Sequence, residues 1–541
     1  MNVAFDRWIP VVNTAGKREL QCLSAVLTEG EKFVDLAVRP HERVSLMRLF
    51  LCVAHAALDG PKDYDEWCDV PKKLPDAVRK YLKKWNDDEH DVFELFHKKK
   101  PWLQVAKLNL VPSDKDKDND ADDDKGWSTL NKLCFTRASG NNSTLFDHES
   151  NGGGLGEYAD DEIALNLLTF QNFFVAGGKA SSRLWGEVEM KNPPNPKGGP
   201  CAGKSILFTF LREKNLRESI HLNLNSYKDL KYIYGDSGDW IGKPIWEMPI
   251  KSPNDSASIL NATQTHLGRL VPQTRILCVN DDRKRVLLGA GFTYPKFQDE
   301  NNTFHPDIFA TTIVNNNGER ALLSARPNIA IWRELHSLAV RRKDAAGSNR
   351  GPLCLLNTAD TSSCDIIVNA MMTNPKQAAE IVDLVESVFH IPAPLFTSNG
   401  TEIYEAEVKN AEFWANRLGR AVEKYRRETD GDWENRLKRA KDKWALKERL
   451  HSIATINYWT AIEKNLQLLM NHIEAIGTNN TVASNDLWRR KLFSAACEAY
   501  RTACGRETPR QMRAFAEGWK KLTATKDESE EDANETKEEI A

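Results

Sequence analysis

The run Gly198-Gly199-Pro200-Cys201-Ala202-Gly203-Lys204-Ser205 matches the spacing G-x-x-x-x-G-K-[ST], in which the amides of a glycine-rich loop cradle phosphates and a lysine reaches the terminal ones. That chemistry needs a strand before the loop and a helix after it, so that stacked N–H groups and the helix dipole face one anion. The flanks read otherwise. Lys191-Asn192-Pro193-Pro194-Asn195-Pro196-Lys197 cannot be a buried strand, because proline has no ladder N–H, and a β-rich run follows Ser205. A nucleotide-dependent enzyme using Lys204 is therefore the alternative reading, decided by local structure around the loop. Three further patterns fail on spacing. His41-Glu42-Arg43-Val44-Ser45 lacks the second histidine of a zinc helix, and Gly235-Asp236-Ser237-Gly238-Asp239 lacks the last glycine of a nucleophile elbow. Asp114, Asp116 and Asp118 start like a calcium loop, but Asn119 stands where the turn needs glycine and Lys125 where a bidentate glutamate belongs. The ten cysteines form no Cys-x-x-Cys pair. No catalytic centre, metal or cofactor is expected.

Charge points to a different chemistry. The formal net charge of -3 averages over two acidic blocks. The tail 526–541 holds eight acids and two lysines, and Ser113 to Lys125 holds seven aspartates and three lysines. Without these blocks, net -6 and net -4, the rest of the chain carries +7. The basic surplus is densest from Trp433 to Leu450, where seven Lys and Arg face three acids and Trp433 and Trp444 lie among them. Cations interleaved with aromatics suit contact with phosphates and bases; the other reading is a solvated helix face with the tryptophans turned inward. Arg436, Arg439 and Lys443 recur at three- and four-residue steps and would form one ridge on a helix.

The elements that must carry these residues fall into two kinds. Ser205 to Leu211, Arg275 to Val279 and Arg285 to Leu288 read as strands. Val44 to Leu58 and Asp161 to Phe174 read as helices. Helix breakers concentrate from Ile391 to Glu402, and after them come helical patterns near 405–428, 433–450, 452–476, 485–504 and 508–523. The expected fold class is α+β, with a large mixed domain over 1–400, an antiparallel helical bundle over 401–525 and an acidic disordered tail over 526–541. The apolar run Leu46 to Leu58 is interrupted by Arg48 and is too short for a membrane span, and the N-terminus lacks a secretory layout. A cytoplasmic protein without membrane partners is expected.

Two segments carry a resemblance. Asn2-Val3-Ala4-Phe5-Asp6-Arg7-Trp8-Ile9-Pro10-Val11 and Ser139-Gly140-Asn141-Asn142-Ser143-Thr144-Leu145-Phe146-Asp147-His148 resemble the CasA-type large subunit of Cascade, the type I-E CRISPR surveillance complex. Later features keep the same order: Leu168-Thr169-Phe170-Gln171 running into Ala176-Gly177-Gly178, and then Asn215-Leu216-Arg217-Glu218-Ser219-Ile220-His221-Leu222-Asn223-Leu224. The resemblance implies a subunit that does not cut. Such a subunit reads the short motif flanking the target in duplex DNA, aids unwinding and helps recruit the helicase-nuclease, while base pairing to the guide reads the long sequence. The implied partners are the guide RNA 5′ handle, double-stranded target DNA, the other Cascade subunits and that helicase-nuclease.

Carried over position by position, the resemblance implies that Phe146, Asp147 and His148 belong to a loop contacting the RNA handle and the flanking motif. Ala176, Gly177 and Gly178 match a glycine loop approaching the minor groove, where a missing side chain lets backbone reach the base edges. Lys296 lies near a lysine that enters the same groove. A hairpin tip that wedges into the duplex matches Met372-Thr373-Asn374-Pro375-Lys376-Gln377, and Pro375-Lys376 departs from the usual pattern. Asn374, Lys376 and Gln377 are the alternatives for its tip. Some relatives carry a Cys-x-x-Cys zinc element after the strand at Ile276 to Val279; only Cys278 stands here, so no zinc is expected.

Overall fold

The apolar run from Ile9 to Val12 opens the first sheet: β1 (Ile9–Asn13) lies between β2 (Arg18–Gln21) and β3 (Phe33–Leu36), antiparallel to both. The structure is a computed structural model that describes residues 1–87, 89–111, 126–137, 158–174, 182–191, 198–201, 205–235, 238–294, 307–314, 317–327, 329–341, 350–358, 362–374, 377–430 and 440–524; side chains at 377–379, 430 and 440–448 are outside that description. It divides into two compact units, Met1–His390 and the part from Ile391 onward.

In the first unit, α1 (Leu23–Thr28) precedes β3, and α2 (Pro40–Leu58) begins with proline at a helical position where no N–H is needed. Every residue of α2 from His41 to His55 is buried, the charged Glu42, Arg43 and Arg48 included, so these must find partners inside the core. It is central to a core that includes Trp8, Phe50, Phe93, Phe173 and Phe208. Against α2 pack α3 (Tyr64–Lys84) and α4 (Asp160–Phe173).

Small antiparallel sheets surround this core. β4 (Asn109–Leu110) pairs with β6 (Arg183–Trp185), and β6 with β7 (Val188–Met190). β10 (Arg285–Gly291) lies between β5 (Ser128–Thr129) and β9 (Arg275–Val279). β11 (Thr312–Val314) pairs with β12 (Arg320–Leu322). The order of the last sheet is β14 (Gln377–Ile391), β13 (Cys364–Asn374), β8 (Phe208–Arg212). Short helices α5 (Leu216–Asn223), α6 (Tyr227–Tyr234), α7 (Ser256–Gln264), α8 (His266–Leu270) and α9 (Leu335–Leu338) connect them. The strand expected from Ser205 starts at Phe208 instead, because Ser205 sits in a left-handed turn at φ +58° and its hydroxyl accepts from the Thr373 N–H at 3.1 Å.

The second unit is helical: α10 (Ser398–Asp430), α11 (Ala440–Glu463), α12 (Leu466–Glu474), α13 (Thr481–Ala503) and α14 (Pro509–Thr523). Contacts fix their directions. On α10, Arg417 donates to the Lys521 carbonyl while Arg510 donates to that of Glu428, so α10 and α14 run antiparallel. Tyr458 donates to the Ala411 carbonyl and His451 meets Glu423, so α10 and α11 are antiparallel too. Gly518 permits a close approach, since a Cβ there would lie 2.0 Å from the Tyr500 hydroxyl and 2.6 Å from the Ala421 carbonyl. Separate helices over 433–450 and 452–476 are not what the chain forms. α11 runs through His451 and the interruption falls at Lys464-Asn465, because the sequence has no Gly or Pro near 451 and an unbroken helix lets His451 and Tyr458 both reach α10. Among the described residues, no helix is long and apolar enough to cross a membrane.

Candidate nucleic-acid interface

An α-helix ends with carbonyls that have no partner inside it. At the end of α4, two other segments supply those partners. The Thr274 hydroxyl donates to the Gln171 carbonyl at 2.6 Å, and the Cys201 N–H to that of Asn172 at 3.0 Å. One residue beyond the helix, the Phe174 carbonyl accepts from the Gly199 N–H at 2.8 Å. The fully buried Gln171 side chain acts as a surrogate peptide group on the edge of β9. Its Nε2 donates to the carbonyls of Arg275 (2.9 Å) and Leu103 (3.2 Å), and its Oε1 accepts from the Arg275 N–H at 2.9 Å. The Arg275 guanidinium lies 4.4 Å from the centre of the Phe174 ring, and burial lowers its pKa to about 10.

The same region holds the stems of residues 295–306. On one side, the buried Tyr294 hydroxyl accepts from the Gln273 N–H at 3.0 Å, and the Phe292 N–H donates to the Thr274 carbonyl. On the other, Asp307 pairs with Arg48 of α2, both almost wholly buried. Arg48 also donates to the carbonyls of Leu270 (3.2 Å) and Arg269 (2.6 Å), which end α8. Near the end of β13, the Thr373 N–H donates to the Ser205 hydroxyl at 3.1 Å.

This arrangement accounts for the phosphate-loop pattern. Two amides inside the motif donate to carbonyls at the end of α4, Cys201 to Asn172 and Gly199 to Phe174 just beyond it, rather than facing an open cradle, and the chain after Ser205 becomes β8 rather than a helix. Among the described residues, no helix directly follows Ser205 as Lys204 chemistry needs; residues 202–204 lie outside the description. Gly199 is needed for close packing: a Cβ there would lie 2.5 Å from the Asn172 carbonyl and 2.8 Å from that of Gln171. Gly199→Ala should therefore lower stability by about 1–3 kcal/mol, read from urea unfolding. An unchanged midpoint would show slack in this turn.

Most of the side chains singled out in the sequence lie outside the described residues: Phe146, Asp147, His148, Ala176, Gly177, Gly178, Lys296, Lys376, Arg436 and Arg439. Lys443 lies on α11 and Gln377 starts β14, with their side chains outside the description. Asn374 is described. It ends β13, and its Nδ2 donates to the Glu380 carboxylate across the hairpin at 2.6 Å, leaving two residues between the strands. Sequence reasoning missed Gln171, Thr274, Tyr294 and Asp307 as site-building residues. For Arg48 a signal existed, since a lone cation inside an apolar helical run requires a buried acid or carbonyls.

The family model for "CRISPR-associated protein Cse1" matches residues 2–499. A CasA/Cse1 protein of Thermus thermophilus is 26% identical over 513 residues, covering 92% of this chain and 91% of its own length. A crystal structure of Thermus thermophilus CasA superposes with a TM-score of 0.71 at 20% identity, covering 96% of this chain and 98% of that one. A chain of a solved CRISPR RNA-guided surveillance complex gives 0.64 at 18% identity, covering 97% and 99%. The fold, with its mixed first unit and helical second unit, and the family match over residues 2–499 lead to one conclusion: this chain belongs to the CRISPR-associated Cse1 (CasA) family.

Proposed function

We propose that this chain is the DNA-sensing large subunit of a Cascade surveillance complex: it reads a short duplex motif beside the guide-paired target, in the cytoplasm, and cuts nothing itself. One observation carries the reading. Phe174, which leads into 175–181, and Tyr294, which leads into 295–306, both meet the stretch 273–275 that is bonded to Gln171 at the end of α4. Entrances anchored on a packed core suit groove readout, which demands positioned groups. Phe146, Asp147 and His148 would meet the guide RNA handle, and Arg436, Arg439 and Lys443 target phosphates or a neighbouring subunit. Recruitment of the helicase-nuclease is part of the same proposal.

The test is reconstitution with the other subunits and a guide, followed by capture of duplexes carrying a randomised flanking segment. Enrichment of a short motif is expected, and it should weaken in the Lys296→Ala and Gly178→Val variants. A flat library with the parent chain would leave a scaffold role instead.

A further inference from the structure

Among the described residues, two neighbouring buried guanidiniums in the core of the first unit share one carboxylate. Arg48 takes Asp307, whose other oxygen accepts from the Phe309 N–H at 3.0 Å. Arg269, on α8 and 5% exposed, has weaker partners: its Nη1 donates to the Thr263 carbonyl at 2.8 Å, while its Nη2 is buried without a hydrogen-bond partner. Burial pushes its pKa down and the nearby Arg48 charge adds to this, with Tyr234 and Asp307 only partly offsetting them. Arginine nevertheless stays charged, and a buried cation left without an anion is costly. A second donor borders the same guanidinium. The Tyr234 ring, stacked on Trp240 at 5.5 Å, places its hydroxyl 3.3 Å from His266 Nδ1 and interacts electrostatically with Arg269. Burial keeps His266 neutral, so this pair has one O–H and one N–H and uses only one of them on the other. One donor remains whichever way the bond runs, and His266 Nε2 is buried without a partner. His55, edge-on to His266 at 5.1 Å, has its Nδ1 on the Gly60 carbonyl and brings no charge to balance Arg269. We infer that Arg269, with Tyr234 and His266, forms a buried site for one small monovalent anion of the size of chloride, which closes the charge balance where α2, α6 and α8 meet. A phosphate would bring more charge and more oxygens than these donors can serve.

A ligand that binds only the folded chain raises its stability with concentration, whereas general screening depends on ionic strength alone. The purified full chain is therefore unfolded with urea near neutral pH at a fixed ionic strength of about 0.15 M, with gluconate replaced stepwise by chloride or bromide. The parent midpoint should climb with either halide. In Arg269→Met that climb should vanish. Of Tyr234→Phe and His266→Phe, at least one should need about tenfold more chloride for the same climb, the effect of losing one hydrogen bond to an ion. Equal parent midpoints in chloride and gluconate would overturn the inference, as would an undiminished halide response in Arg269→Met, which would place the ions on the surface. If Arg269→Met does not fold, crystals of the parent grown in bromide decide the matter: an anomalous peak in contact with Arg269 Nη2 supports the site, and its absence there overturns it.

Discussion

Arg48→Met should destabilise the first unit by about 3–5 kcal/mol, the range for removing one partner of a buried ion pair. Arg48 is 1% exposed, and its guanidinium serves Asp307 and the last two carbonyls of α8. Methionine fills much of the stem's volume but leaves the Asp307 charge and both carbonyls without this partner inside the core. The loss should appear as a lower urea midpoint of the purified chain. Removing the charge together with its partner, in Arg48→Met with Asp307→Leu, should recover part of it, because an apolar pair carries no stranded charge. A single variant that loses less than about 1 kcal/mol, or a double variant as costly as the sum of the singles, would contradict the buried pair as the anchor between α2 and the loop stem.

Acidification should have an effect of similar size. His41 and His55 lie inside α2, and burial, which disfavours the charged ring, lowers both pKa values to about 4; burial likewise holds His266 well below the usual range, with the neighbouring His55 adding to the shift. The sign follows from linkage. With the folded value below the unfolded one, the unfolded chain takes up protons first, so stability is complete above the ordinary histidine pKa and declines as pH falls from about 6.5 towards 4. By about pH 5 the loss is roughly 2 kcal/mol for each of His41 and His55. His41 tests this well, since its ring packs edge-on against Phe135 and Phe173, and phenylalanine keeps that packing without titrating. His41→Phe should flatten the decline by one histidine's share. Parallel stability curves for parent and variant between pH 7 and 5 would show that His41 charges in the folded chain.

Local pattern was sufficient where one segment carries its own signal. The three- and four-residue apolar spacing marks α2 and α4, β-branched and apolar runs mark β9 and β10, and the breakers after Ile391 precede the helical region. The segments at residues 2–11 and 139–148 were enough to identify the family, which the match over 2–499 bears out. Partner choice was beyond sequence. That Gln171 would meet Arg275, that Arg48 would meet Asp307 across 259 positions, and that the amides of a phosphate-loop pattern would end a helix all depend on which elements the core brings together. The physical reason is that periodicity reports how much of an element is buried and on which face. A buried polar group takes as its partner whatever donor or acceptor the tertiary fold sets opposite it, and that neighbour lies far away in the chain.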